Sequence, residues 1–171
     1  MSTGAPRAIP PQIQRLLDER VLHGHDPDAA AVAGLWTKAV CSNLDARQPN
    51  LSTDNRVGLA YQAGLQAVHA LLQAHGYRVR SAGNHHYYSL YAAQALAEAA
   101  GDDALRRDAL GLDRQRARRI AAVYEAEPAS DSDLADLLGI LDTLLPAIRS
   151  ALLALLPADA GSFPVSGQRP R

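Results

Sequence analysis

The sequence predicts an all-α protein, an up-and-down helical bundle of about five to six helices. Three observations carry this. Apolar residues recur at steps of three and four in one segment after another, capping residues with Pro and Gly punctuate the gaps, and no alternation of apolar and polar residues persists beyond a few positions. A chain of 171 residues fits one domain. The periodic part, residues 9–156, is expected to be that domain. Residues 1–8 and 157–171 are rich in Gly, Ser and Pro and are expected to be disordered tails.

The first helix is expected to start at Pro10 and Pro11, to carry Ile13, Leu16, Leu17 and Val21 on one face, and to stop at His23-Gly24. Asp26 followed by Pro27 reads as the cap and first turn of a second helix, whose stripe is Val32, Leu35, Trp36, Ala39, Val40 and Leu44. After the Gln48-Pro49-Asn50 break, Ser52 or Thr53 caps a third helix with Val57, Tyr61, Leu65, Val68 and Leu72, ended by Gly76. Residues 77–84 read as a loop with a short extended piece. A fourth helix opens near His85 and closes at Gly101-Asp102, and a fifth runs from about Asp103 to Glu125 with an irregularity expected at Gly111. Ser130 and Asp133 form a capping-box start for a last helix with Leu134, Leu137, Leu138, Leu141, Leu145, Ile148 and Leu152. Pro146 lies inside it, lacks an N–H, and is expected to kink or break it near Asp142.

Composition narrows the function. The formal net charge is -1, so the chain as a whole is no electrostatic binder of nucleic acid and any basic site must be local. The single cysteine, Cys41, rules out an intramolecular disulfide framework, and no uninterrupted apolar run approaches the length of a membrane span. No charged-then-apolar leader opens the chain, so a cytoplasmic location without membrane association is expected. A glycine-rich phosphate loop, a Gly-x-Ser-x-Gly elbow and a cysteine-centred catalytic arrangement are all missing, and neither a metal nor a cofactor is expected.

The chemistry concentrates on helix five. At 100° per residue, Leu105, Ala109, Leu112, Ile120 and Val123 share one face, with Arg116 near its centre and Arg119 at its edge. A guanidinium on an apolar face costs several kcal/mol unless it meets a carboxylate, carbonyls or an anion. The two readings are therefore a phosphate site and an ion pair with Asp or Glu of a neighbouring helix. Arg106, Arg107, Arg114 and Arg118 point elsewhere and form a solvated rim. Tyr124 flanks the guanidinium side and offers a hydroxyl to a phosphate or base, or serves as an amphipathic edge residue. His85 and His86 open helix four beside free N–H groups, and imidazole exchanges protons near neutral pH. Adjacent histidines point about 100° apart, so at most one is expected to face helix five. His69 and His75 share no evident partner set.

Taken in order, Leu59-Ala60-Tyr61-Gln62-Ala63, Ala70-Leu71-Leu72, Gly76-Tyr77-Arg78, His85-His86, Leu112-Asp113, Arg116-x-x-Arg119 and Tyr124 resemble the HEPN domain (higher eukaryotes and prokaryotes nucleotide-binding) over roughly residues 10–155. The resemblance implies a helical bundle, frequent homodimers, and roles in toxin-antitoxin and phage-defence systems, often beside a nucleotidyltransferase partner. It further implies a metal-independent ribonuclease site in which an Arg and a His separated by four to six residues meet their counterparts across a dimer. Here Arg119 matches the Arg and Tyr124 stands where the His would be, while Ile120 replaces the Asn that often follows the Arg. Arg116, Arg119 and His85 are thus expected to bind RNA or a nucleotide. Were the chain an endoribonuclease, Arg119, Tyr124 and His86 would be its catalytic set. The alternative is a non-catalytic module that dimerises or regulates a neighbouring enzyme, with the leucine stripe from Leu134 to Leu152 as its contact face.

Overall fold

The computed structural model describes residues 8–80, 83–125 and 127–170, with backbone alone for 117–125. Six helices follow in order: α1 (Pro11–Asp18), α2 (Ala29–Ala46), α3 (Thr53–Ala74), α4 (His85–Ala100), α5 (Asp103–Glu125) and α6 (Asp131–Leu155). The all-α bundle is as the sequence predicts. The expected N-terminal tail lies, but for Ala8, outside the described residues.

Local chemistry sets the helix starts. Ser52 Oγ accepts from Asn55 N at 3.3 Å, and Ser130 with Asp133 forms a full capping box at the start of α6. Asp28, rather than Asp26, caps α2, because its Oδ1 reaches the free N–H groups of Ala30 and Ala31 at 3.0 and 3.3 Å. Pro27 therefore precedes the helix instead of forming its first turn.

α3 is the centre of the bundle, in contact with α2, α4, α5, α6 and a small sheet. Its small residues let neighbours approach closely. A Cβ on Gly64 would lie 2.7 Å from Leu112 Cδ1, so glycine is what allows α5 to settle there. Gly111 acts similarly toward α6, where a Cβ would fall 2.9 Å from Ile140 Cδ1. The expected irregularity at Gly111 is absent: α5 runs on through it, and the missing side chain serves packing.

Three other expectations are corrected. The first helix stops at Asp18. Arg20 then takes a positive φ of 57°, and β1 (Leu22–Gly24) pairs antiparallel with β2 (Tyr77–Val79). Three-residue strands are too short to show alternation, and only Leu22 of β1 is buried. α6 is not broken at Pro146, since Pro146 and Asp142 are both exposed and water can satisfy the carbonyl left without its helical partner. The leucine stripe is consumed within the chain: Leu134, Leu137, Leu141, Leu144, Leu145, Ile148 and Leu152 are all buried, on a helix that packs against α3 and α5. By length and mean hydropathy alone α6 is the one described helix that meets the requirement for crossing a membrane. That stripe no longer supplies a free contact face.

The segment after α6 is ordered, against the expected tail. Pro157–Ser162 forms a 3₁₀ turn and Phe163 is buried at 1% exposure. Trp36 Nε1 donates to Pro164 O at 3.0 Å, Arg149 Nε to Phe163 O at 2.8 Å and Asn43 Nδ2 to Ser166 O at 3.2 Å. One large aromatic side chain, together with donors on α2 and α6 that need acceptors, offsets the cost of ordering a Gly- and Pro-rich stretch.

Candidate functional site

α4 and α5 form a hairpin closed at Gly101-Asp102. Gly101 takes a φ of 70°, and Asp102 N donates to Ala97 O at 2.9 Å, ending α4 in a left-handed cap. Tyr87 lies 14 residues before Gly101 and Arg116 lies 14 after Asp102, so an antiparallel hairpin sets them side by side. Arg116 Cζ is 5.5 Å from the Tyr87 ring centroid. This is cation–π distance and contributes about 0.5–1 kcal/mol at a partly open position.

Arg116 forms an ion pair, but one within its own helix. Its Nε donates to Asp113 Oδ1 at 2.7 Å, with the two side chains 20% and 22% exposed. Arg116 is thereby held by a carboxylate on one side and an aromatic face on another. Among the described residues no hydrogen bond engages its terminal nitrogens, which form the fork suited to phosphate. Arg119 and Tyr124 lie on α5 with side chains outside the described residues, so their placement adds nothing to the site.

The start of α4 supplies the rest. Asn84 adopts a left-handed φ of 64° and its side chain makes no cap, and among the described residues no side chain accepts from the first-turn N–H groups of α4. His85 is exposed and His86 half-buried, their rings 4.2 Å apart and nearly perpendicular. His86 also sits 6.0 Å from the ring of Tyr61 on α3. Tyr87, whose ring meets Arg116 of α5, is exposed by 39% and stacked on Tyr91 at 6.2 Å. Sequence reasoning missed Tyr87; its equal distance with Arg116 from the Gly101-Asp102 turn was the signal available.

It also missed His69, which has a defined partner set. Ser89 Oγ donates to His85 O at 2.8 Å, so its oxygen accepts from His69 Nε2 at 2.9 Å. That network fixes the tautomer with the proton on Nε2 and leaves Nδ1 as an acceptor. Burial first, then the neighbouring His86 and His85, lower the His69 pKa to about 4. His69 is neutral at physiological pH. Among the described residues no three His, Cys, Asp or Glu side chains converge as metal ligands.

Fold and site define a class: a helical bundle with an Arg laid over a Tyr where the start of one helix meets the flank of the next, and two histidines at that helix start. Comparison with protein-family models, with characterised proteins and with solved structures finds no match to this chain.

Proposed function

We propose that the chain is a HEPN-like nucleotide- or RNA-binding protein of the toxin-antitoxin and phage-defence kind, acting where the start of α4 meets α5. The observation that carries this reading is Arg116, anchored through Nε by Asp113 and laid over the exposed ring of Tyr87. Such a guanidinium offers its terminal N–H groups to a phosphate without first losing its position. An exposed tyrosine ring beside it is a surface on which an unpaired base stacks, worth about 1–3 kcal/mol per base in single-strand binders. The open N–H groups at the start of α4 add fixed positive character.

A ribonuclease variant of this reading is favoured by the two imidazoles side by side at the same helix start. There the RNA 2′-oxygen attacks the adjacent phosphorus and the 5′-oxygen leaves. One histidine takes the 2′ proton, a second group returns a proton to the leaving oxygen, and the arginines stabilise the charge on the phosphorane. Across a homodimer the second group would come from the other copy, and a nucleotidyltransferase-type protein is the partner class to seek.

The test is retention and cleavage of total RNA by the parent, by Arg119→Ala and by His86→Ala. Arg119→Ala is expected to lower RNA retention about tenfold or more, as loss of a charge-assisted phosphate contact does. His86→Ala is expected to retain RNA and lose any cleavage. Unchanged retention with Arg119→Ala contradicts the assignment of RNA to this helix, and unchanged cleavage with His86→Ala removes the catalytic variant.

A further inference from the structure

α4 is fastened to α3 by a contact that the RNA reading does not use. Ser89, one turn into α4, is fully buried. Its Oγ donates back to His85 O at 2.8 Å and accepts from His69 Nε2 of α3 at 2.9 Å. His69 thereby grips the first turn of α4 from the neighbouring helix. The entry to that turn is poorly secured on its own. Gly83 precedes it, Asn84 holds a left-handed φ of 64°, and the Asn84 side chain makes no cap. Left-handed backbone stores strain in a residue with a side chain, even in asparagine, which tolerates it better than most. A turn strained at its entry and gripped at its inner edge opens when the grip weakens.

The grip stands where positive charge is unwelcome. His69 is half-buried and borders a cleft of about 310 Å³ between the end of α3, the β2 segment and the first residue of α4. The ionisable side chains that share this cleft are Tyr77, Arg78, Arg80 and His85, and among the described residues no carboxylate lines it. α2, α5 and α6 contribute no described residue to it, while His86 of α4 acts on His69 as a further like charge when protonated. A proton reaching His69 lands on Nδ1, since Nε2 already carries one. The imidazolium so formed meets no anion in the cleft. Its Nε2–H can still donate to Ser89, but the ring is now a poorly solvated cation among cations, and water relieves it once the α4 turn swings away.

We infer that His69 is a proton-sensitive latch: neutral, it pins the first turn of α4 to α3, and protonated, it drives that turn open. Tyr87 lies on the turn, so opening parts its ring from Arg116. The latch concerns how the turn is held and does not depend on what the Arg116 surface binds.

The test is hydrogen exchange of the full chain by NMR, read as protection of residues 88–92 relative to intrinsic rates at pH 7 and pH 5. His69 titrates at about 4 in the closed turn and at 6.5 once the turn is open, so opening gains as pH falls between those values. Protection of residues 88–92 is expected to fall about twentyfold over this interval. It is expected to be indifferent to low urea, the mark of a local opening, with the core amides of α6 better protected at both pH values. His69→Gln can donate to Ser89 but takes no proton, and should hold its protection within about twofold. Ser89→Ala, a small exchange at a buried position, should lower protection of the turn about tenfold at pH 7 and leave the α6 core unchanged. A parent whose protection does not fall overturns the inference. So does a fall that follows urea as the core does, which is global unfolding, or an equal fall in His69→Gln. Unchanged protection in Ser89→Ala overturns it as well, and that variant and the parent decide the matter even where His69→Gln does not fold.

Discussion

Replacing Phe163 with alanine is expected to destabilise the fold by about 3–5 kcal/mol, the range for emptying a large aromatic from a core. Phe163 is 1% exposed and belongs to the same buried cluster as Trp36 and Ile13. The loss extends beyond the cavity. Phe163 anchors a segment whose carbonyls receive the Trp36 indole N–H, the Arg149 guanidinium and the Asn43 amide. Trp36 itself is 0% exposed, so if the segment releases, its N–H either stays buried without an acceptor or the ring must be wetted. Urea denaturation followed by circular dichroism measures the change as a lower midpoint. A second readout is slow hydrogen exchange of the Trp36 indole in the parent, lost in the variant. A shift below about 0.5 kcal/mol would mean that residues 163–170 do not dock in solution.

Acid is expected to destabilise the protein through His69 in a defined window. The folded pKa is depressed to about 4 from an unfolded value of 6.5. The folded state therefore resists taking up a proton that the unfolded chain accepts. Above pH 6.5 both states are neutral at this residue and the fold has its full stability. As pH falls from 6.5 toward 4 the unfolded state gains, by about 3 kcal/mol at the lower end for a shift of this size. Burial is the first cause, and protonation of His86 and His85 adds to the penalty. The comparison is denaturant midpoints at pH 7 and pH 4.5 for the parent and His69→Gln, whose amide can still donate to Ser89. The glutamine variant should lose a large part of the pH dependence that the parent shows. Equal slopes for the two would mean that His69 is protonated, or reached by water, in the folded state.

How much of this was legible in the sequence depends on the range of the interactions involved. The six helices were readable because each carries its own periodicity and its own punctuation, as Ser52 and the Ser130–Asp133 pair show. Asp26 and Asp28 flank Pro27 equally well as caps, and the position chosen depends on which carboxylate reaches the N–H groups of α2. The docking of Phe163 was hidden for a different reason. The stretch around it has the composition of a tail, and what orders it is a set of donors on α2 and α6, one of them 128 positions away in the chain. The β1–β2 pair was hidden by its length.

The site shows the same division. Arg116 was picked out by helical phase, and half-burial of its side chain agrees with that phase. Its partner Asp113 is three residues away and lies within reach of the same projection, whereas the expectation was an Asp or Glu of a neighbouring helix. The contact between Tyr87 and Arg116 follows from hairpin symmetry about Gly101-Asp102, a relation that single-helix periodicity does not contain. The His69–Ser89–His85 chain joins α3 to α4 and has no sequence signature at all.

The central claim is that the surface where α4 begins beside α5 holds a nucleic-acid phosphate. The most direct measurement is the affinity of a short fluorescent single-stranded RNA for the parent and for Arg116→Gln, at two salt concentrations. The account predicts an affinity about tenfold weaker in the variant, with a shallower dependence on salt, one phosphate contact having been removed. Equal affinity and equal salt dependence in a variant that melts like the parent would contradict it.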